Sequence, residues 1–89
     1  HGAALDQAGR YWVAMEEGAQ VLCLGPHGEV LARHPVPVQC PTGLCFGGTD
    51  LRTLYVTTSR LHRSADELAR CPDSGGVFAL KVEVPGLPV

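Results

Sequence analysis

Apolar residues in this chain come in short runs separated by Gly, Pro, Asp and Ser. Ala3-Ala4-Leu5 leads into a polar turn from Asp6 to Arg10, and Tyr11-Trp12-Val13-Ala14 follows. Gln20-Val21-Leu22-Cys23-Leu24 is a third run, Gly25-Pro26-His27-Gly28 a turn, and Glu29 to Val36 a fourth stretch of mixed polarity. Short runs rich in aromatic and β-branched residues, bounded by residues that accept positive φ, are the pattern of antiparallel hairpins. Four such strands in succession make one small sheet. Pro35 and Pro37 fall at the end of the fourth, where a missing backbone donor costs little, so that strand is expected at an edge.

The pattern then repeats. His1-Gly2-Ala3-Ala4-Leu5-Asp6 and Tyr11-Trp12-Val13-Ala14 align with Thr42-Gly43-Leu44-Cys45-Phe46-Gly47 and Leu54-Tyr55-Val56-Thr57. The offsets, 41 residues from His1 to Thr42 and 43 from Tyr11 to Leu54, match the period of a β-propeller blade. In the second copy the third strand is delayed by residues 59–76. There Ser64-Ala65-Asp66-Glu67 reads as a capping box opening one or two helical turns that Pro72 stops. The strand resumes at Gly75 to Val82, and the tail, with Pro85 and Pro88, is too short and broken for a fourth strand. The expected fold is therefore all-β: two consecutive antiparallel blades, residues 1–38 and 39–89, the second incomplete, with a helical insertion near 64–70. Two blades alone leave an apolar face uncovered at each end, which calls for further blades or identical copies.

Composition narrows the function classes. Seven basic and nine acidic residues are scattered over 89, for a net charge of −2, so no dense cationic face suits nucleic acid. No apolar run approaches the length of a membrane span, and no basic flank with an apolar stretch follows His1. The chain is expected to be soluble and cytoplasmic, and its opening at His-Gly, in mid-pattern, to be a cut end. Cys23, Cys40, Cys45 and Cys71 allow two disulfides in three connectivities or a metal site, but their spacing lacks a zinc knuckle. Buried or partly buried free thiols are the expectation.

The repeat residues also carry a resemblance. The two aligned segments, with Pro41-Thr42-Gly43-Leu44-Cys45-Phe46-Gly47-Gly48, Glu67-Leu68-Ala69 and Gly75-Gly76-Val77-Phe78-Ala79-Leu80, resemble the C-terminal portion of the gluconolactonase, regucalcin (senescence marker protein) and luciferin-regenerating enzyme family. The resemblance implies a six-bladed propeller holding one divalent metal, calcium or zinc, at the end of its channel and hydrolysing sugar lactones. It places His1 where the family has an aspartate metal ligand, a departure that suits zinc or manganese better than calcium. His1 is thus either a ligand, or a non-ligand at a frayed terminus or in a site that no longer holds metal. Thr42, at the matching place in the second copy, is expected to face the channel and touch a substrate hydroxyl, or else to be satisfied by its own turn.

Other candidates have blander readings. Asp6 reads as an Asx-turn residue. His27, His34 and His62 share no spacing and read as solvated or locally bonded. Trp12 and Tyr55 read as packing between blades, Glu16 and Glu17 as solvated or as a weak cation site, and Cys45 as lying on a channel-lining strand. The leading functional expectation is a segment of a metal-dependent lactone hydrolase whose site is completed by other blades, with no activity as an isolated monomer. The alternatives are a non-catalytic structural or binding module that closes by self-association, three copies making six blades, and an unrelated antiparallel β-domain.

Overall fold

The computed structural model describes residues 3–15 and 17–87. Strands β1 (Ala3–Leu5), β2 (Tyr11–Met15), β3 (Gln20–Leu24) and β4 (Val30–Pro35) form one antiparallel sheet in chain order. Strands β5 (Pro41–Gly47), β6 (Thr53–Thr58) and β7 (Val77–Lys81) form a second, with helix α1 (Ala65–Arg70) inserted between β6 and β7. The expected elements are all present with small boundary shifts: the fourth strand is shorter than Glu29–Val36, and the seventh shorter than Gly75–Val82.

The sheets bury one face of each against the other. Trp12, Val21 and Cys23 of the first meet Phe46, Leu54 and Val56 of the second, and Val21 and Leu54 are fully buried. Trp12 meets Phe46 edge to face, with centroids 6.2 Å apart at 90°, and stacks on His34 at 5.4 Å. Large aromatic surface and an edge-to-face contact of this kind favour one mutual orientation of the sheets.

Side chains alternate between faces along a strand, and this decides the fate of the two repeat-equivalent aromatics. Trp12 points into the interface. Tyr55 points out of the second sheet on its far side and is 38% exposed. The converse holds one residue earlier, where Leu54 is buried and Tyr11 is 51% exposed. Each sheet therefore has an inner face at the shared core and an outer face carrying exposed apolar residues.

The β1–β2 turn is organised by Asp6. Its Oδ1 accepts from the backbone N–H groups of Ala8 (2.9 Å) and Arg10 (3.0 Å), and its Oδ2 from Arg10 Nε (2.9 Å) and Trp12 Nε1 (3.0 Å). The Asx turn expected from the sequence is there. What spacing alone did not show is that the same carboxylate is fully buried and holds the indole that anchors the interface. Gly9 completes the turn at φ 78°, a left-handed conformation that costs glycine little.

Past β7 the tail crosses to the first sheet. Gln7 N–H donates to the Pro85 carbonyl, Gly86 N–H to Leu51 and Leu87 N–H to Leu5, and Asp6 bridges Gly86. A Cβ on Gly86 would stand 2.0 Å from the Phe46 ring, so only glycine lets the tail pass over that ring.

Candidate functional site

Thr42 stands at the start of β5, beside an irregularity in the β5–β6 register between Pro41 and Gly43. Its Oγ1 lies 3.1 Å from Thr57 Oγ1 on the neighbouring strand, and the side chain is half-buried. Gly43 keeps the pair close, since a Cβ there would stand 2.7 Å from Thr57 Oγ1. Next along β6, the Thr58 hydroxyl donates to the Gly76 carbonyl (2.7 Å) and accepts from Gly75 N–H (2.9 Å). Thr42 is therefore held by a cross-strand hydroxyl and not by its own turn, and the two hydroxyls can together donate to and accept from a polyol.

The insertion between β6 and β7 is anchored at this end. Ser59 N–H donates to the Cys40 carbonyl (3.0 Å) and Arg60 Nη1 to the Ser74 carbonyl (3.2 Å). Ser64 caps α1 by accepting from Glu67 N–H (3.1 Å). The capping box is only half made, because the Glu67 carboxylate turns to Arg63, whose Nε donates to its Oε2 at 2.7 Å. Arg63 also pairs with Glu17 of the β2–β3 turn, with Nη2 to Oε2 at 3.1 Å. The hydrogen bonds to Arg63 hold both carboxyls below their usual range, and Arg63 is raised in turn. This ion-pair cluster ties the insertion to the first sheet. Sequence reasoning missed it, because Glu17 and Arg63 lie 46 residues apart.

The remaining candidates scatter. His34 stacks on Trp12 at the interface, while His27 and His62 are exposed in turns, His62 at φ 60°. Cys23, Cys45 and Cys71 are free thiols, respectively buried, exposed and half-buried, and burial pushes Cys23 up. Cys45, for which the sequence leaves both burial and exposure open, is exposed: it opposes Tyr55 in register and shares the outer face of the second sheet. His1 and Glu16 lie outside the described residues. Among the described residues no three His, Cys, Asp or Glu side chains converge on a metal position. A cavity of about 280 Å³ opens between β1 and β5, and its described walls, Ala4, Leu5, Leu44, Phe46 and Leu87 among them, carry the Cys45 thiol as their one ionisable side chain. No described helix is long and apolar enough to cross a membrane.

Comparison with known proteins places this arrangement. A 6-deoxy-6-sulfogluconolactonase of Pseudomonas putida is 56% identical over 85 residues, which cover 96% of this chain and 29% of the relative. Regucalcin of Oryctolagus cuniculus is 38% identical over 89 residues, covering 98% and 30%. The crystal structure of a calcium-binding protein, regucalcin, from Agrobacterium tumefaciens superposes with a TM-score of 0.90 at 32% identity, covering 97% of this chain and 29% of that one. The chain thus spans about 30% of the length of these relatives. A family model described as SMP-30/Gluconolactonase/LRE-like region matches residues 1–60, and the chain belongs to that family.

Proposed function

We propose that this chain is one sector of a sugar-lactone hydrolase of propeller fold, its site completed by blades outside these residues. The observation that carries the reading is the 56% identity, across nearly the whole chain, to a sulfogluconolactonase. In the complete protein a divalent metal, calcium or zinc, would polarise the lactone carbonyl and lower the pKa of a bound water. The described residues do not supply a donor set for it, so no step is assigned to the metal here, and His1 is the only position in this stretch proposed as a ligand. Thr42, backed by Thr57, is proposed to hydrogen-bond a hydroxyl of the sugar ring. The outer faces, with Leu5, Tyr11 and Met15 on one sheet and Tyr55 and Val77 on the other, support packing against further blades.

The test is hydrolysis of glucono-1,5-lactone and of 6-deoxy-6-sulfogluconolactone by the full propeller containing this stretch, with calcium or zinc. Activity is expected, with Thr42→Val raising KM several-fold and the isolated 89-residue chain inactive. Absence of hydrolysis with either lactone and either metal would remove the reading. A second reading is favoured by the same exposed outer faces: identical copies close the ring as a non-catalytic module. Native mass spectrometry decides it, because that reading needs a trimer.

A further inference from the structure

Thr42 is the extra residue of a bulge. In the β5–β6 ladder Pro41 opposes Thr58 and Gly43 opposes Thr57, so Thr42 has no opposing residue of its own in the register. A bulge beside a site re-aims a side chain, and what fixes the aim is then supplied by the residues on either side. Toward Gly43 it is Thr57, whose hydroxyl lies 3.1 Å from that of Thr42. On the other side it is the root of the 59–76 insertion: Pro41 is fully buried opposite Thr58, and Ser59 N–H donates to the Cys40 carbonyl at 3.0 Å. The Thr58 hydroxyl is bonded to Gly75 and Gly76 at the far root, and Arg60 reaches the Ser74 carbonyl with its stem so close over Gly75 that a Cβ there would stand 2.7 Å away. A shift of the insertion is therefore passed to Pro41 and Cys40, one and two residues before Thr42.

The insertion does not hold itself in place. Between Arg60 and Arg63, Leu61 is 72% exposed and His62 takes a left-handed backbone at φ 60°, a conformation that side chains disfavour. The restraint is Arg63. Its side chain is 14% exposed and that of Glu67 10%, and it donates Nε to Glu67 Oε2 and Nη2 to Glu17 Oε2 of the other sheet. An exposed ion pair contributes little, but loss of a nearly buried arginine strands the Glu67 carboxylate, which is costly. Without Arg63 the insertion is therefore expected to open and hydrate that carboxylate. The β2–β3 turn, the insertion and the start of β5 lie at one end of the two sheets, so the clamp spans the end that carries Thr42.

We propose that Arg63 is a positioning residue for Thr42: by gripping Glu17 and Glu67 together it seats the insertion against Cys40 and Pro41 and so sets the direction of the Thr42 hydroxyl. The consequence for substrate rests on the lactonase reading, in which that hydroxyl binds the sugar ring. Arg63 itself touches no reacting atom, and its loss weakens binding of the ring without slowing the chemical step.

The test uses the full propeller containing this stretch, with Arg63→Met, the milder Glu17→Gln, Thr42→Val and the double variant R63M/T42V. E17Q weakens only the pair to an exposed carboxylate and leaves Glu67 with its arginine. With glucono-1,5-lactone, KM is expected to rise about threefold or more in R63M and less in E17Q, with kcat kept, the signature of lost ground-state binding. The double variant is expected to match T42V in KM within about twofold, because R63M acts through a hydroxyl that T42V has already removed. Amide hydrogen exchange of the same proteins, followed by mass spectrometry, reports the placement without substrate. R63M is expected to quicken residues 59–76 and 42–44 about fivefold while residues 20–24 keep wild-type protection. An unchanged KM, effects of R63M and T42V that multiply in full, a loss confined to kcat, or exchange at 42–44 that R63M leaves alone overturns the proposal. If the wild-type propeller hydrolyses neither lactone, the lactonase reading falls by itself, and exchange at 42–44 decides the positioning: quickened by R63M, it stands; unchanged, it falls.

Discussion

Replacing Asp6 by Asn probes the link between turn and interface with almost no change of shape. The backbone N–H groups of Ala8 and Arg10 keep the amide oxygen at the Oδ1 position. The new NH₂ group then faces two donors, Arg10 Nε at 2.9 Å and Trp12 Nε1 at 3.0 Å. A buried donor left without an acceptor costs about 1–3 kcal/mol, so D6N is expected to lose about 2–4 kcal/mol. For a domain of this size that lowers Tm by about 10–20 °C. Trp12→Phe removes the indole donor and some packing. In the D6N background it also removes one of the two unpaired donors. The double-mutant cycle, measured by urea unfolding followed by far-UV circular dichroism, is therefore expected to be subadditive by about 1 kcal/mol or more. Strict additivity, or a D6N cost below about 0.5 kcal/mol, would refute the claim that this carboxylate holds the indole.

Acid should act through the same group. Burial pushes the Asp6 carboxyl up, but the hydrogen bonds from Trp12, Arg10 and Ala8 outweigh it and leave the pKa below its ordinary 3.8. A depressed folded-state pKa gives stability that is present above 3.8 and lost as pH falls through the folded value. Urea midpoints measured from pH 5 to 2 should fall, and less steeply in D6N. The thiols should separate by rate: a disulfide reagent is expected to modify exposed Cys45 at least tenfold faster than buried Cys23, with equal rates counting against the interface described here. Arg63→Met should leave unfolding of the sheets nearly unchanged while proteolysis within residues 59–76 speeds up severalfold. Cleavage at the wild-type rate would show that the Glu17–Arg63–Glu67 cluster does not anchor the insertion.

The repeat, the strand order within each copy and the capped helix were legible in the sequence because each rests on local physics: alternation of apolar residues, turn formers between them, and Ser64 three residues before Glu67. Asp6 was legible as a turn residue for the same reason. Its second role was not, since it depends on where the β1–β2 register carries Trp12. Glu17 reads as solvated or as a weak cation site, and its pairing with Arg63, 46 residues away, is made only by the fold.

The family resemblance in the motif order was likewise a property of the linear sequence. The sequence thus determined what each segment becomes and which family it belongs to, through interactions spanning a few residues and through the order of its motifs. The tertiary structure alone decided which face of each strand is buried: Trp12 and Tyr55 occupy equivalent places in identical patterns, and only the docking of one sheet on the other makes the first core and leaves the second exposed. It likewise decided the course of the tail away from β7, which is set by hydrogen bonds to Arg52, Leu51 and Leu5 that no local pattern encodes.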